Sequence, residues 1–216
     1  LSRSISSWVC LLLLAGAAAA RAQQGATITA DTAWQSLDDR EGVALFSRGR
    51  VGSALREFKA AGIIEAPPAA VQKVLEDVKD YPKFMPYVAE ARPIMGTGSR
   101  CIVYERLAVP VVANRDYTIY VENGATTTPS GETILRDVWR TDNDAGPAPR
   151  HGIVRVKVNE GSWVLEPFGP AHDETKATYQ IYTDSGGVLP AFVANKASQL
   201  MIPKVFKALR QRVQAK

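Results

Sequence analysis

The chain is poor in the residues that carry chemistry. Its 216 residues include two cysteines, Cys10 and Cys101, and two histidines, His151 and His172. Cys10 falls in an apolar leader, so the rest of the chain holds one thiol and no internal disulfide, although export would permit one. A lone thiol inside a strand-like run reads as a small buried hydrophobe. The histidines lie in loops far apart, and neither H-E-x-x-H nor C-x-x-C occurs, which argues against a metal site. There is no G-x-S-x-G elbow. Gly96-Thr97-Gly98-Ser99-Arg100-Cys101 lacks the third glycine of a dinucleotide fingerprint and joins two strands, so it reads as a hairpin turn. No cofactor is implied.

Long apolar runs are equally scarce. The one present, Trp8 to Ala20, follows Arg3 and ends at the small-x-small site Ala20-Arg21-Ala22. Residues 1–22 therefore read as a cleaved signal peptide too short to span a bilayer, with a domain from residue 23 to 216 placed in the periplasm or secreted. The leader holds two arginines and no acid, so its removal lowers the formal charge from +4 to +2. That weak excess gives little drive toward nucleic acid. The C-terminal segment does carry a basic side: Lys196, Lys204, Lys207, Arg210, Arg212 and Lys216. It is either a solvated helix face or a point of transient contact with anionic headgroups on a membrane surface.

What is present is an alternation of strands framed by helices. Residues 33–39 are expected as a short helix, 42–48 and 54–66 as strands. Pro67-Pro68 stops the second strand and opens a helix bearing Val71, Val74, Leu75 and Val78 at helical spacing. A short helix or turn is expected in 80–88. Strands follow over about 89–96, 100–109, 115–123, 132–142, 153–159, 162–168 and 174–183. Val154, Val156 and Val158 alternate with Arg155, Lys157 and Asn159, which predicts one buried face and one wet face. A helix over about 189–214 presents Phe192, Val193, Leu200, Met201, Val205, Leu209 and Val213, with Pro203 expected to kink or split it. This order gives an α+β fold: a curved antiparallel sheet around a long C-terminal helix, able to leave a tunnel between them.

Paired acids occur, as at Asp38-Asp39 and Glu166 with Glu174, but no spacing assigns acid and base roles. Glu105 and Arg106 are adjacent in an apolar strand, so one of them faces inward. The inward one is either paired with another strand or offers a polar handle to a ligand.

Three ordered segments resemble the START domain, the steroidogenic-acute-regulatory-protein-related lipid-transfer family. They are "IVYERLAVPVVANRDY" (102–117), "HGIVRVKVNEGSWVLEP" (151–167) and "TKATYQIYTDSGGVLPAFVANK" (175–196). The resemblance covers Trp34 to Val213. It implies a helix-grip fold whose internal hydrophobic tunnel holds one lipid, a sterol, phospholipid or similar, in a monomeric carrier that is not an enzyme. Strand alternation and the family together place Phe58, Ile102, Tyr104, Tyr117, Ile119, Val121 and Phe192 in the lining, with Arg106 as the polar candidate. Arg115 and Asp116 are expected to tie a loop to neighbouring backbone. Asp184, Gly186 and Gly187 make the turn before the last helix, Pro190 suits its first turn, and Asn195 is the family's helix asparagine.

Two departures bear on the ligand. Ser185 stands where the family often has proline, and Ile119-Tyr120-Val121-Glu122 lacks the basic cavity residue of some members, which favours an apolar ligand. "LEDVKDYPKFMPYV" (75–88) resembles quinone-binding and polyketide-cyclase-like proteins of the same fold, and these are the alternative reading. A protein-binding module with a filled core is the third. The C-terminal helix and a loop around Asn123–Gly131 are expected to gate the tunnel.

Overall fold

Strand pairing organises the molecule from one edge to the other. The structure, a computed structural model, describes residues 32–110 and 112–215; the leader read over 1–22 lies outside the described residues. The strands are β1 Gln35–Arg40, β2 Val43–Arg50, β3 Ser53–Ile64, β4 Val88–Thr97, β5 Arg100–Leu107, β6 Arg115–Thr127, β7 Thr133–Thr141, β8 Val154–Arg155, β9 Val158–Phe168 and β10 Glu174–Asp184. They form one open, curved sheet in the order β1-β2-β3-β10-β9-β7-β6-β5-β4, antiparallel throughout, with β8 added in parallel to β6. The helices are α1 Pro68–Glu76, α2 Tyr81–Phe84 and α3 Ala191–Gln214. This is the helix-grip architecture expected above.

Several local expectations change. Residues 35–40 form an edge strand, because the register with β2 supplies hydrogen bonds that a solvent-exposed helix of this length could not match. Trp34, just before it, lies under Arg48 and Lys59 at 4.5 and 4.7 Å. The regular alternation of 154–159 fails. The chain breaks between β8 and β9, Lys157 N–H donates to the Asp184 carbonyl, Arg155 is half-buried on Asp116, and Asn159 is buried under Trp139. β9 then runs unbroken through Gly161 and Ser162. β6 extends to Thr127, so much of the expected gating loop is strand, closed by a tight turn in which Thr128 N–H donates to the Glu132 carbonyl.

Helix α3 is unbroken across Pro203, which is buried. Its missing N–H leaves the Gln199 carbonyl without the usual donor, a local cost the surrounding packing absorbs. Phe206, fully buried, meets the sheet at β3. Gly62 permits this, since a Cβ there would lie 3.2 Å from the Phe206 ring and 3.0 Å from the Gly42 carbonyl oxygen. Arg210 then donates to the carbonyls of Ile63, Glu41 and Gly42 at 2.9, 2.6 and 3.1 Å. The expected basic side is thus largely engaged within the protein. Lys207 pairs with Glu41, Arg212 with Asp80, and Lys204 contacts the Tyr87 hydroxyl.

The other end of α3 is held by Asn195. Its Oδ1 accepts from the Arg56 N–H at 2.9 Å and its Nδ2 donates to the Ala54 carbonyl at 3.1 Å. These groups belong to the part of β3 beyond Phe58, where pairing with β10 ends, so one amide completes an interrupted ladder. Asn195→Ala should lower stability by about 1–3 kcal/mol, because it leaves both backbone groups unpaired. Urea unfolding measures this, and a curve superimposing on wild type would remove Asn195 as an anchor.

Candidate ligand cavity

Alternation on β6 decides which side chains see the interior. Arg115, Tyr117, Ile119, Val121 and Asn123 face inward, and antiparallel pairing sets Leu107, Glu105, Val103 and Cys101 of β5 opposite the first four of them. The far wall comes from Trp139 of β7, Trp163 of β9 and Tyr179 of β10, whose ring centroids lie 4.4 Å apart in a tilted pair (Trp163–Tyr179) and 5.8 Å apart in a stacked one (Trp139–Tyr179). The roof is α3, through Val193, Ala197, Met201 and Val205, with Leu189 ahead of it. Together they enclose about 830 Å³. That falls within the range of roughly 300–1,000 Å³ typical of small-molecule sites.

Of the eight residues expected in the lining, three border this cavity. Tyr117, Ile119 and Val121 border the cavity. Phe58 does not; it is buried in the core beneath β3. Ile102, Tyr104 and Arg106 lie on the outer face of β5, since they pair with Tyr120, Thr118 and Asp116 on the outer face of β6. Tyr104 is fully buried there, donating to Asp116 beneath Arg92 and Arg150, and Arg106 pairs with Glu90 at 3.3 Å. Phe192 projects from α3 and is 75% exposed. Glu105, not Arg106, is the inward member of the pair. Trp139, Trp163, Tyr179 and Asp137 were missed. The signal for β5 was available in the pairing rule, because residues directly opposite in an antiparallel pair share a face.

The motif residues sit where the chain changes direction. Asp116, buried, accepts from Arg155 Nε at 2.7 Å and from the Tyr104 hydroxyl at 3.2 Å. Asp184 Oδ1 accepts from the Gly186 N–H at 3.0 Å, and Gly186 and Gly187 both adopt positive φ. A Cβ on Gly186 would stand 2.5 Å from the Arg155 carbonyl oxygen, so the turn is closed to other residues on two counts. Pro190 is the N-cap of α3 and lies one residue ahead of its first turn. The loop around 128–131 stays clear of the lining, whereas Val109, Pro110 and Val112 border it.

Four carboxyl groups border this mostly apolar wall, and two of them, Glu105 and Asp137, are buried. Burial pushes the Glu105 carboxyl up to about 7, against a smaller opposing effect from the Tyr117 hydroxyl that donates to it at 2.8 Å. Burial likewise raises Asp137 to about 6, offset in part by the Gln72 amide at 2.6 Å. Both exposed histidines, His151 and His172, lie away from the cavity.

The folded protein holds the Glu105 proton more tightly than the unfolded chain does. Between pH 4.5 and about 7 its ionisation increasingly opposes folding, and above that the penalty is constant. Glu105→Gln should raise stability at about pH 8 by up to roughly 3 kcal/mol, and the gain should vanish on the acid side of the window. Denaturant melts across pH check this; a gain independent of pH would show that Glu105 does not titrate in the window.

A family model described as polyketide cyclase / dehydrase and lipid transport matches residues 64–210. The chain is 26% identical to the human phosphatidylcholine transfer protein over 199 residues, which covers 91% of this chain and 90% of that relative. It is 29% identical over 163 residues to an uncharacterized protein of Pseudomonas aeruginosa, covering 75% of this chain and 77% of the other. A solved fragment of a STAR-related lipid transfer protein from Xanthomonas axonopodis aligns with a TM-score of 0.74 at 28% identity, over 84% of this chain and 98% of that one.

Proposed function

The chain belongs to the polyketide cyclase / dehydrase and lipid transport family and is a START-domain protein, and from that premise we propose that it is a carrier that encloses one lipid in the cavity under α3. The observation that carries this reading is the cavity itself: about 830 Å³ walled by aromatic and aliphatic side chains from β5, β6, β7, β9, β10 and α3. Hydrocarbon entering it leaves water at a gain of roughly 25 cal/mol per Å² of apolar area. A filled core, the hallmark of a pure protein-binding module, would leave no such volume.

Native mass spectrometry of protein purified from its own host should show a co-purifying lipid at one per chain. Ile119→Trp, which places an indole in the space opposite Val103, should lower that loading several-fold while the fold survives. Unchanged loading would mean the lipid lies elsewhere.

The second reading, a cyclase-like enzyme, is favoured by one pair, Glu105 and Tyr117, which join a carboxyl and a phenol by a hydrogen bond inside the cavity. The carrier reading rests on more of the wall, since a proton-transfer pair alone does not orient a substrate.

We also propose that the carrier works outside the cytoplasm. The support is the run from Trp8 to Ala20 followed by Ala20-Arg21-Ala22. N-terminal sequencing of the exported protein should begin near Gln23, and finding residues 1–22 intact would overturn the proposal.

A further inference from the structure

Among the described residues of the cavity wall, one cation is buried without an acidic partner. Arg115, the first residue of β6, is 9% exposed and borders the cavity. Its Nη1 donates to the Ala113 carbonyl at 2.7 Å. Among the described residues no carboxylate lies within ion-pair distance of it. The adjacent acid, Asp116, points to the opposite face and is held by Arg155 and Tyr104. A buried guanidinium without a countercharge is expensive, and the cost falls when an anion is brought to it. The remaining N–H donors form a planar fork suited to a carboxylate or a phosphate.

The rest of the wall fixes which end an anion would occupy. From Arg115 to Asn123 the inward residues of β6 span at most about 26 Å at roughly 3.3 Å per residue. At the Asn123 end stand Glu76, Asp77 and Asp137, with Glu105 between the ends. The amide oxygens of Asn123 and Gln72 are buried there without donors. That end repels an anion. Lys79, the other lining cation, is exposed. At the Arg115 end the turn before α3 closes in: Gly186 packs on Arg155 and Val154, and Val154 pairs with Arg115. Ser185 adds a hydroxyl to the lining, and the first turn of α3 carries no acid to cancel its positive dipole end.

We infer that Arg115 is the recognition point for an oxyanion, so that the cargo is an amphipathic lipid with its carboxylate or phosphate ester at Arg115 and its hydrocarbon along Tyr117, Ile119 and Val121. This deepens the carrier reading and rests on it. It also revises two expectations. Arg115 was expected chiefly to tie a loop to backbone rather than to touch a ligand, and the absence of a basic residue in 119–122 was expected to favour a more apolar ligand. The cation is present, at the first residue of the strand.

The test uses the delipidated, full exported chain and four probes: hexadecanoate, hexadecyl phosphate, hexadecanol and inorganic phosphate. Displacement of a cavity-bound fluorescent dye gives each affinity. Wild type should prefer the two charged chains to hexadecanol by roughly tenfold to a hundredfold, the scale of charge-assisted hydrogen bonds. Arg115→Gln should bring that ratio close to one, Arg115→Lys should retain part of it, and Arg92→Gln, on the outer face, should leave it unchanged. Equal wild-type affinity for charged and neutral chains would overturn the assignment without touching the carrier reading. So would a folded Arg115→Gln protein that keeps the preference. If Arg115→Gln does not fold, the wild-type ratio and the lysine variant decide. Inorganic phosphate matching hexadecyl phosphate in displacement would make this a free-anion site and overturn the lipid class. Failure of every long-chain probe to bind would overturn the carrier reading itself.

Discussion

The cavity exists because α3 packs closely on β3 and stands away from β5 and β6. Its anchors to the sheet lie mainly on β3 and the neighbouring β1–β2 turn: Asn195 on the Ala54–Arg56 backbone, Phe206 against Gly62, and Arg210 on three carbonyls, while Arg212 and Lys204 tie its C-terminal half to Asp80 and Tyr87. Small residues at Ala60 and Gly62 bring the helix close there. The opposite half of the sheet, β5 and β6, curls away from a helix already committed to β3. Among the described residues, no side chain fills the space left between them. Close packing on one side and separation on the other follow from the same set of contacts, so the volume is a property of the fold rather than a defect in its core.

Buried charge follows a matching division. Polar pairs that serve the fold sit outside the chamber: Asp116 with Arg155 and Tyr104, Arg106 with Glu90, Arg212 with Asp80. Each is paired with another charged protein group. The inward groups are only partly satisfied by the protein, Glu105 by a single phenol and Arg115 by a single carbonyl. Such groups subtract from stability in the empty protein. They are tolerated because the outer pairs and the aromatic wall of Trp139, Trp163 and Tyr179 hold the strands in place.

Much of this was legible in the sequence, and the losses have physical causes. Strand order, the helix start at Pro68, the glycine turn and the long final helix all come from local chemistry: proline's fixed φ, glycine's positive φ, and apolar periodicity. Inward residues on β6 were readable for the same reason. On β5, Cys101 to Tyr104 is apolar on both faces and Glu105 and Arg106 put one charge on each, so alternation alone does not choose the inward face. Coupling β5 to β6 through their pairing resolves it. Phe192 was misplaced because helical spacing does not say which face meets the sheet; Phe206, about four turns later, is the residue that does. The edge strand at 35–40 and the break at 156–157 depend on partners distant in sequence, and no window of local residues contains them.

The division along β6 has a bearing on how such a protein changes over generations. Outward Asp116 and Thr118 hold the neighbouring segment, Asp116 through Arg155 and Thr118 through its side chain packed against Gly146. Inward Tyr117, Ile119 and Val121 touch little besides the chamber and the facing strand. Mutations at odd-numbered positions therefore alter what the chamber accepts, while mutations at even-numbered positions alter whether the sheet closes. One strand can drift toward a new cargo without first losing its architecture, and a lineage can diversify in diet while its skeleton stays unchanged.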